Sequence, residues 1–368
     1  MFGLLCQQLW WDNLVCTKGY EGSIEKERRI VKESRYYTPK ENNRVACHLC
    51  PRECVINESK AGICRGRVNH GGKLYAQTYG ECSSVAMDPI EKKPLYHFYP
   101  GSQILSIGTT GCNLKCQFCQ NWHISQESVS THQVSPEDIV KYAKKYNAIG
   151  VAYTYNEPFI WYEYVLDTAK MIKQEGLKNV LVTNGYVNEQ PLLELLPYID
   201  ALNIDVKSIE DGFYQEICGG VRLNPVLNTI KLSKKNGCWV ELTNLVIPTL
   251  NDSPLQINNL INWISEEIGD SVPLHFSRYF PNYKMNLPPT PLATLEQIYH
   301  QSLQRLKYVY IGNACEINGD NTCCPMCNRI VIKRKGYGIS QYNLKDGRCG
   351  WCNSEINGQW EKYMETDK

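Results

Sequence analysis

The sequence predicts an α/β protein: a partial (β/α)6 barrel with a cysteine-rich module before it and a zinc-ribbon or rubredoxin-like module after it. Three observations lead there. From residue 103 onward, short apolar runs alternate with helical stretches, the pattern of strands and helices wound around a parallel sheet. Cysteines gather in three groups, one at the head of that alternation and one on either side of it. The 368 residues, 43% hydrophobic and 21% charged, supply a full core and leave little for extended disorder.

Eighteen cysteines would suit a secreted disulfide framework, but the opening from Met1 to Trp10 carries no basic residue and lacks the form of a signal peptide. No apolar run approaches the roughly 18 residues of a spanning helix. A net charge of +1 gives no general pull toward nucleic acid or an anionic membrane. The expectation is a cytoplasmic chain whose clustered thiols hold metal, with neither nucleic acid nor membrane as partner.

Residues 1–44 read as a lead-in, with the charged run from Glu25 to Arg29 as a solvated helix face and Cys6 and Cys16 as isolated thiols. Residues 45–100 are the first module. Cys47, Cys50, Cys54 and Cys64 lie within 18 residues, close enough for short loops to wrap one metal or one cluster. Zinc and an iron–sulfur cluster both accept four thiolates, so the spacing does not choose between them. Residues 73–79 alternate like a strand, and residues 87–100, with three prolines, cross in extended form to the next domain, His97 packing between aromatic neighbours.

Residues 101–312 hold the main domain. Strands are expected at 103–108, 150–155, 179–183, 201–206, 239–246 and 273–277, and a short run at 308–311 closes or extends the set. Ser135-Pro-Glu-Asp138 is a helix start, and Asn251 or Ser253 opens another helix before 255–268. In residues 313–368, Cys324-Pro-Met-Cys327 and Cys349-Gly-Trp-Cys352 stand 21 residues apart as two knuckles around one zinc or iron. Lys333-Arg-Lys335 between them reads as a solvated strand edge.

The chemistry centres on Cys112, Cys116 and Cys119, which follow the first barrel strand and so sit at the rim where barrel enzymes place their sites. Three thiolates would leave one iron of a four-iron cubane open to a non-protein ligand, and the amino and carboxylate groups of S-adenosylmethionine can chelate it. The bland reading is a structural zinc site completed by a remote residue such as His123. By position on the same rim, His275, Arg278 and Tyr283 are candidates for substrate contact.

The stretch Gly111-Cys-Asn-Leu-Lys-Cys-Gln-Phe-Cys-Gln-Asn-Trp122 resembles the radical S-adenosylmethionine superfamily, and within it the activating enzymes of glycyl radical enzymes such as pyruvate formate-lyase. With Cys47–Cys64, the Asp88 to His97 segment and the closing ribbon, the chain resembles the AmmeMemoRadiSam-system radical enzymes over about residues 45–358. The resemblance implies a [4Fe-4S] cluster on the three cysteines, with Phe118 in the aromatic position between the last two. It implies that Asn156 and Glu157 hold the methionyl ammonium. Thr183 and Asn184 would line the methionyl and ribose side, Asp205 and Lys207 would reach the carboxylate, and Val246 would pack on adenine. It also implies a flavodoxin- or ferredoxin-like electron donor and AMMECR1-like and Memo-like partner proteins.

The function expected is reductive cleavage of S-adenosylmethionine and hydrogen abstraction from an unidentified small molecule or protein. Two alternatives stand beside it: an activase acting on a backbone glycine, and a non-enzymatic multi-metal electron-transfer or binding protein.

Overall fold

A computed structural model of the protein describes residues 32–360; the Glu25 to Arg29 run, Cys6 and Cys16 lie outside the described residues. The main element is an eight-stranded sheet whose strands follow chain order: β1 (Ser84–Pro89), β2 (Gln103–Gly108), β3 (Gly150–Tyr153), β4 (Lys178–Thr183), β5 (Ala201–Asp205), β6 (Trp239–Val246), β7 (Leu274–Arg278) and β8 (Val309–Gly312). β2 to β8 are parallel, and β1 pairs antiparallel with β2. The six expected strand–helix repeats are present, and the short run near residue 309 extends the sheet as β8 instead of closing it onto β1. An antiparallel edge at β1 became possible because residues 84–89 precede the first of the three prolines' turns, Pro89 ending the strand before a short 3-10 helix, Ile90–Lys92.

Helix starts follow local chemistry. Ser135 accepts a hydrogen bond from Asp138 N with Pro136 in the first turn, and Ser253 forms a full capping box with Gln256. The outer face of the sheet, including Leu105, Ile107, Leu181, Ile204 and Phe276, packs with helix residues such as Ile139, Val165, Ile230 and Leu260 in one core. That core continues into the first module through Val45, Leu49 and Ile56.

The inner face is filled from one end by the segment after β1. Ile90, Leu95 and Phe98 pack with Ile104, Ala152, Val180 and Ala201, and Asn203 Nδ2 donates to Pro94 O at 2.8 Å. Glu241 on β6 is wholly buried and accepts from Tyr96 N, His97 N, Trp239 Nε1 and His275 Nε2. A buried carboxylate is tolerable only when its oxygens are satisfied in this way, and here four donors from three segments meet it.

The C-terminal ribbon docks on the same inner segment. Arg334 was expected on a solvated edge; it is 4% exposed, donates to Tyr96 O, Thr322 Oγ1 and Asp320 O, and lies 4.1 Å over the Tyr96 ring. Strand alternation explains the difference, since it turns Arg334 inward while Lys333 and Lys335 face solvent.

His97 is fully buried, as its aromatic neighbours implied. Asn357 O can only accept, so Nδ1 carries the proton and Nε2 accepts from Tyr310 OH. Burial foremost, with Arg334 and His275 adding, pulls the ring down to about 4 despite the opposing pull of Glu241 and Asn357. The unfolded chain therefore takes up a proton first as pH falls through 6.5 toward 4, so stability is complete above this window and lost within it. The loss attributable to His97 is expected to be about 3 kcal/mol. Denaturant midpoints at pH 7 and pH 4 should show it in the wild type and a smaller further decline in His97→Asn.

Candidate functional site

Beyond β2 the chain leaves the sheet rim as the cysteine loop, and its backbone is tied from several sides. Asn156 accepts from Thr109 N at 3.2 Å and donates to Gly111 O at 2.9 Å. Gly111 N bonds Ile124 O, Lys115 N bonds Cys218 O, Gln117 N bonds Ile217 O, and Gln117 O accepts from Lys284 N. Gly111 has φ +95°, and a Cβ there would stand 2.2 Å from Cys64 O, so only glycine permits this approach of loop and first module.

Two N–H groups point at one thiol: Leu114 N lies 3.4 Å and Asn184 Nδ2 3.6 Å from Cys112 Sγ. Cys116 is buried beside the Cys218 thiol and close to Lys207. Lys207 Nζ pairs with Asp205 at 2.9 Å and lies 5.6 Å from the Phe118 ring. Burial works against the Lys207 charge, but Asp205 and the Cys116 and Cys218 thiols outweigh it and hold the ammonium well above the usual lysine range.

Glu157 closes the adjoining strand ends. It is 1% exposed and accepts from Phe159 N, Thr183 Oγ1 and Asn184 N at 3.1, 2.7 and 2.8 Å. Burial, reinforced by Asp205, raises its carboxyl to about 7 against the lowering effect of those three bonds. Three donors leave one of the roughly four acceptor positions of a carboxylate open. Phe118, Asn156, Glu157, Thr183, Asn184, Asp205 and Lys207 are thus gathered around the three thiols. The donor set suits an iron–sulfur cluster: three soft ligands from one loop, N–H groups aimed at sulfur, and a cation set against the negative charge a thiolate cluster carries.

A sequence profile described as the radical SAM superfamily matches residues 106–261. The uncharacterized protein MJ0808 of Methanocaldococcus jannaschii is 44% identical over 334 residues, 89% of this chain and 99% of that one. The chain belongs to the radical SAM superfamily. It is a radical SAM enzyme by that match and by two further relatives. The pyruvate formate-lyase-activating enzyme of Clostridium pasteurianum is 25% identical over 48% of this chain and 77% of its own length. A probable GTP 3',8-cyclase of Sulfurisphaera tokodaii is 28% identical over 56% of this chain and 62% of its own.

The remaining candidates of this radical SAM chain are placed unevenly. Tyr283 stacks on Trp122 with centroids 5.4 Å apart, which brings it to the flank of the cysteine loop. Arg278 ends β7 and is turned to Thr290 O and Glu316. Val246 ends β6, is fully buried, and belongs to the core on the outer face; the pleat puts its neighbour Leu245 on the face shared by Glu241 and Thr243. His275, expected near the end of its strand, is the second residue of β7, 4% exposed, bonded to Glu241 and ringed by Tyr96 and Tyr310. The strand runs one residue further than expected, and Glu241's need for a donor holds the imidazole inside the sheet, below the rim.

Sequence reading missed Asn113, Cys218 and Arg65. Asn113 lies inside the cysteine motif and was readable there, whereas Cys218 and Arg65 carry no local signal. Arg65 clamps the carbonyls of Ser125, Gln126 and Glu127 from the first module.

Among the described residues, Cys324, Cys327, Cys349 and Cys352 have all four ligand atoms within 4.8 Å of one another. The Cys324–Cys352 and Cys327–Cys349 sulfurs are 3.6 and 3.8 Å apart. Metal–sulfur bonds of about 2.3 Å in a tetrahedron put sulfurs about 3.8 Å apart, so one ion fits. Cys47, Cys50, Cys54 and Cys64 line a single cavity with Arg52, Arg67 and Asn113.

Gly111→Ala is expected to keep the sheet intact by circular dichroism and to lose most iron bound at the cysteine loop, because both the left-handed backbone and the Cys64 contact forbid a Cβ. Iron and sulfide analysis against a variant at Gly212, where a Cβ meets nothing and the backbone is not left-handed, is the measurement.

Proposed function

We propose that the enzyme cleaves S-adenosylmethionine reductively and abstracts hydrogen from a substrate bound at the same rim. The observation that carries this is the clamped loop with Cys112, Cys116 and Cys119, where two N–H donors address the Cys112 thiol and the half-buried Lys207 stands near Cys116. When bound, a three-thiolate cluster leaves one iron open to S-adenosylmethionine and supplies the electron whose transfer to the sulfonium releases a 5′-deoxyadenosyl radical.

In this reading the curved sheet is a partial barrel, and the chain divides at about residues 45, 101 and 313. Glu157 offers its open acceptor position to an N–H of the methionyl amino group, a charge-assisted bond that also favours the ionised form of the carboxyl. Asn184 orients Cys112, Thr183 holds Glu157, and Lys207, leaning from Asp205, faces the cofactor carboxylate. Asn156 positions the loop backbone. The adenine lies along the β6 end, where Leu245 is a better packing surface than Val246. Tyr283 faces the substrate, while Arg278, held by Thr290 O and Glu316, and His275, inside the sheet, support the rim without touching it. The ribbon holds zinc or iron as a structural ion. The substrate is a small molecule or a protein, the electron comes from a flavodoxin- or ferredoxin-like donor, and AMMECR1-like and Memo-like proteins act alongside in the cytoplasm. The activating-enzyme relatives favour a second reading, a backbone glycine as substrate; a glycyl radical signal arising in a captured partner distinguishes it. No helix among the described residues is long and apolar enough to cross a membrane.

Under anaerobic conditions with a strong reductant, the iron-reconstituted protein should form 5′-deoxyadenosine and methionine, and Cys116→Ala should form neither. Equal background in both, with the wild-type cluster intact, overturns the assignment. Glu157→Gln should weaken S-adenosylmethionine binding by roughly 10- to 100-fold at unchanged iron content, the worth of a hydrogen bond to a charged group. Because an ionised Glu157 is the stronger acceptor for that N–H, wild-type binding should tighten as pH rises through about 7, and the variant should lose that contribution.

A further inference from the structure

Three thiol groups in one chain allow the metal at each to be compared by sulfur spacing alone. The ribbon thiols meet the spacing of a single tetrahedral ion. Among the described residues, neither the three loop thiols nor the four thiols of the first module draw together within 4.8 Å. A cubane binds each thiolate to a different iron, so its sulfurs must stand further apart than those around one ion. The first module thus does not show the single-ion spacing that the ribbon shows.

The walls of its cavity point the same way. Arg52 and Arg67 both line it, and Arg52 Nη2 and Arg67 Nε are buried with no hydrogen-bond partner. Buried guanidinium N–H groups without acceptors are costly, and thiolate and inorganic sulfur atoms of a negatively charged cluster would satisfy them. Cys54 is partly exposed between solvent-facing Glu53 and Val55, which gives an external donor access.

The cavity also touches the loop. Asn113 lines it together with Cys50, and its Oδ1 lies 3.9 Å from Cys112 Sγ. Its amide is locked by Tyr186 O at 2.7 Å and Asn184 Nδ2 at 2.9 Å, and Arg52 Nε bonds Asn113 O at 2.9 Å. One rigid amide thus stands between a thiol of each group.

We propose that Cys47, Cys50, Cys54 and Cys64 hold an iron–sulfur cluster, not a single ion, and that it exchanges electrons with the cluster on Cys112, Cys116 and Cys119 through Asn113. This rests on the loop binding a cluster as set out above. One electron from a low-potential protein donor reduces the first-module cluster, which is reoxidised as it passes that electron to the loop cluster; no atom or proton moves between them.

Acid-labile sulfide of the anaerobically reconstituted full-length protein counts clusters whatever ion the ribbon holds. Wild type is expected to contain about eight sulfides per chain, about four for each cubane. Cys112→Ala/Cys116→Ala/Cys119→Ala and Cys47→Ala/Cys50→Ala should each retain about half. About four in wild type and none in the triple variant overturns the second cluster while leaving the loop reading intact; none in wild type overturns both. Electron paramagnetic resonance of the dithionite-reduced wild type tests the coupling and needs no variant to fold. Two signals broadened and relaxed by each other, only one of which changes on adding S-adenosylmethionine, are expected. A plain sum of two independent signals overturns the electron exchange.

Discussion

The Asn156 side chain, bonded at once to Thr109 N and Gly111 O, fixes the direction in which the chain leaves the sheet, and the site depends on that exit. Three thiols on a free loop would be a flexible chelator. Held at Thr109 and Gly111, pressed against Cys64 O, and bonded along residues 115–117 to residues 217–218, they become a fixed set with N–H donors already aimed at Cys112. The orientation is paid for in advance by hydrogen bonds that fold the protein, which is the general route to a preorganised metal site.

The first module is part of this clamp. Arg52 holds Asn113 O, Arg65 holds the turn after the loop, and Arg67 is anchored by two bonds to Glu163, both residues 1% exposed. Three arginines within sixteen residues therefore tie one short cysteine-rich segment to the loop and to the helix Tyr162–Gln174. Buried arginine is costly unless its donors are met, so Arg67, the buried one of the three, is informative about what the segment encloses. The far end of the sheet shows the same economy in a different form, where Glu241 is met by His97 N and His275, the His97 ring by Asn357 O and Tyr310, and Arg334 by Tyr96 O, which ties the ribbon beneath the rim.

Glu157 illustrates why neighbouring groups set function. As a residue after a strand it was legible as a partner for a cation. Its bonds to Phe159, Thr183 and Asn184 show that it also splices two strand ends, leaving one acceptor position. A group with both duties is rigid and half neutral near pH 7, a state that an arriving ammonium would shift.

By itself the sequence determined the strand–helix alternation, the helix caps at Ser135 and Ser253, and the four thiols of the ribbon. These depend on periodicity, side-chain oxygens and spacings within a few residues, all local properties. Only the tertiary structure decided that His275 lies inside the sheet, that Arg334 is buried, and that Asn113 stands between two groups of thiols. A charge can be buried only where distant groups supply its partners, as Tyr96 O does for Arg334 across 238 positions. Likewise the distance between sulfurs, which separates one ion from a cluster, is a property of loops closing in space and is written nowhere in their spacing along the chain.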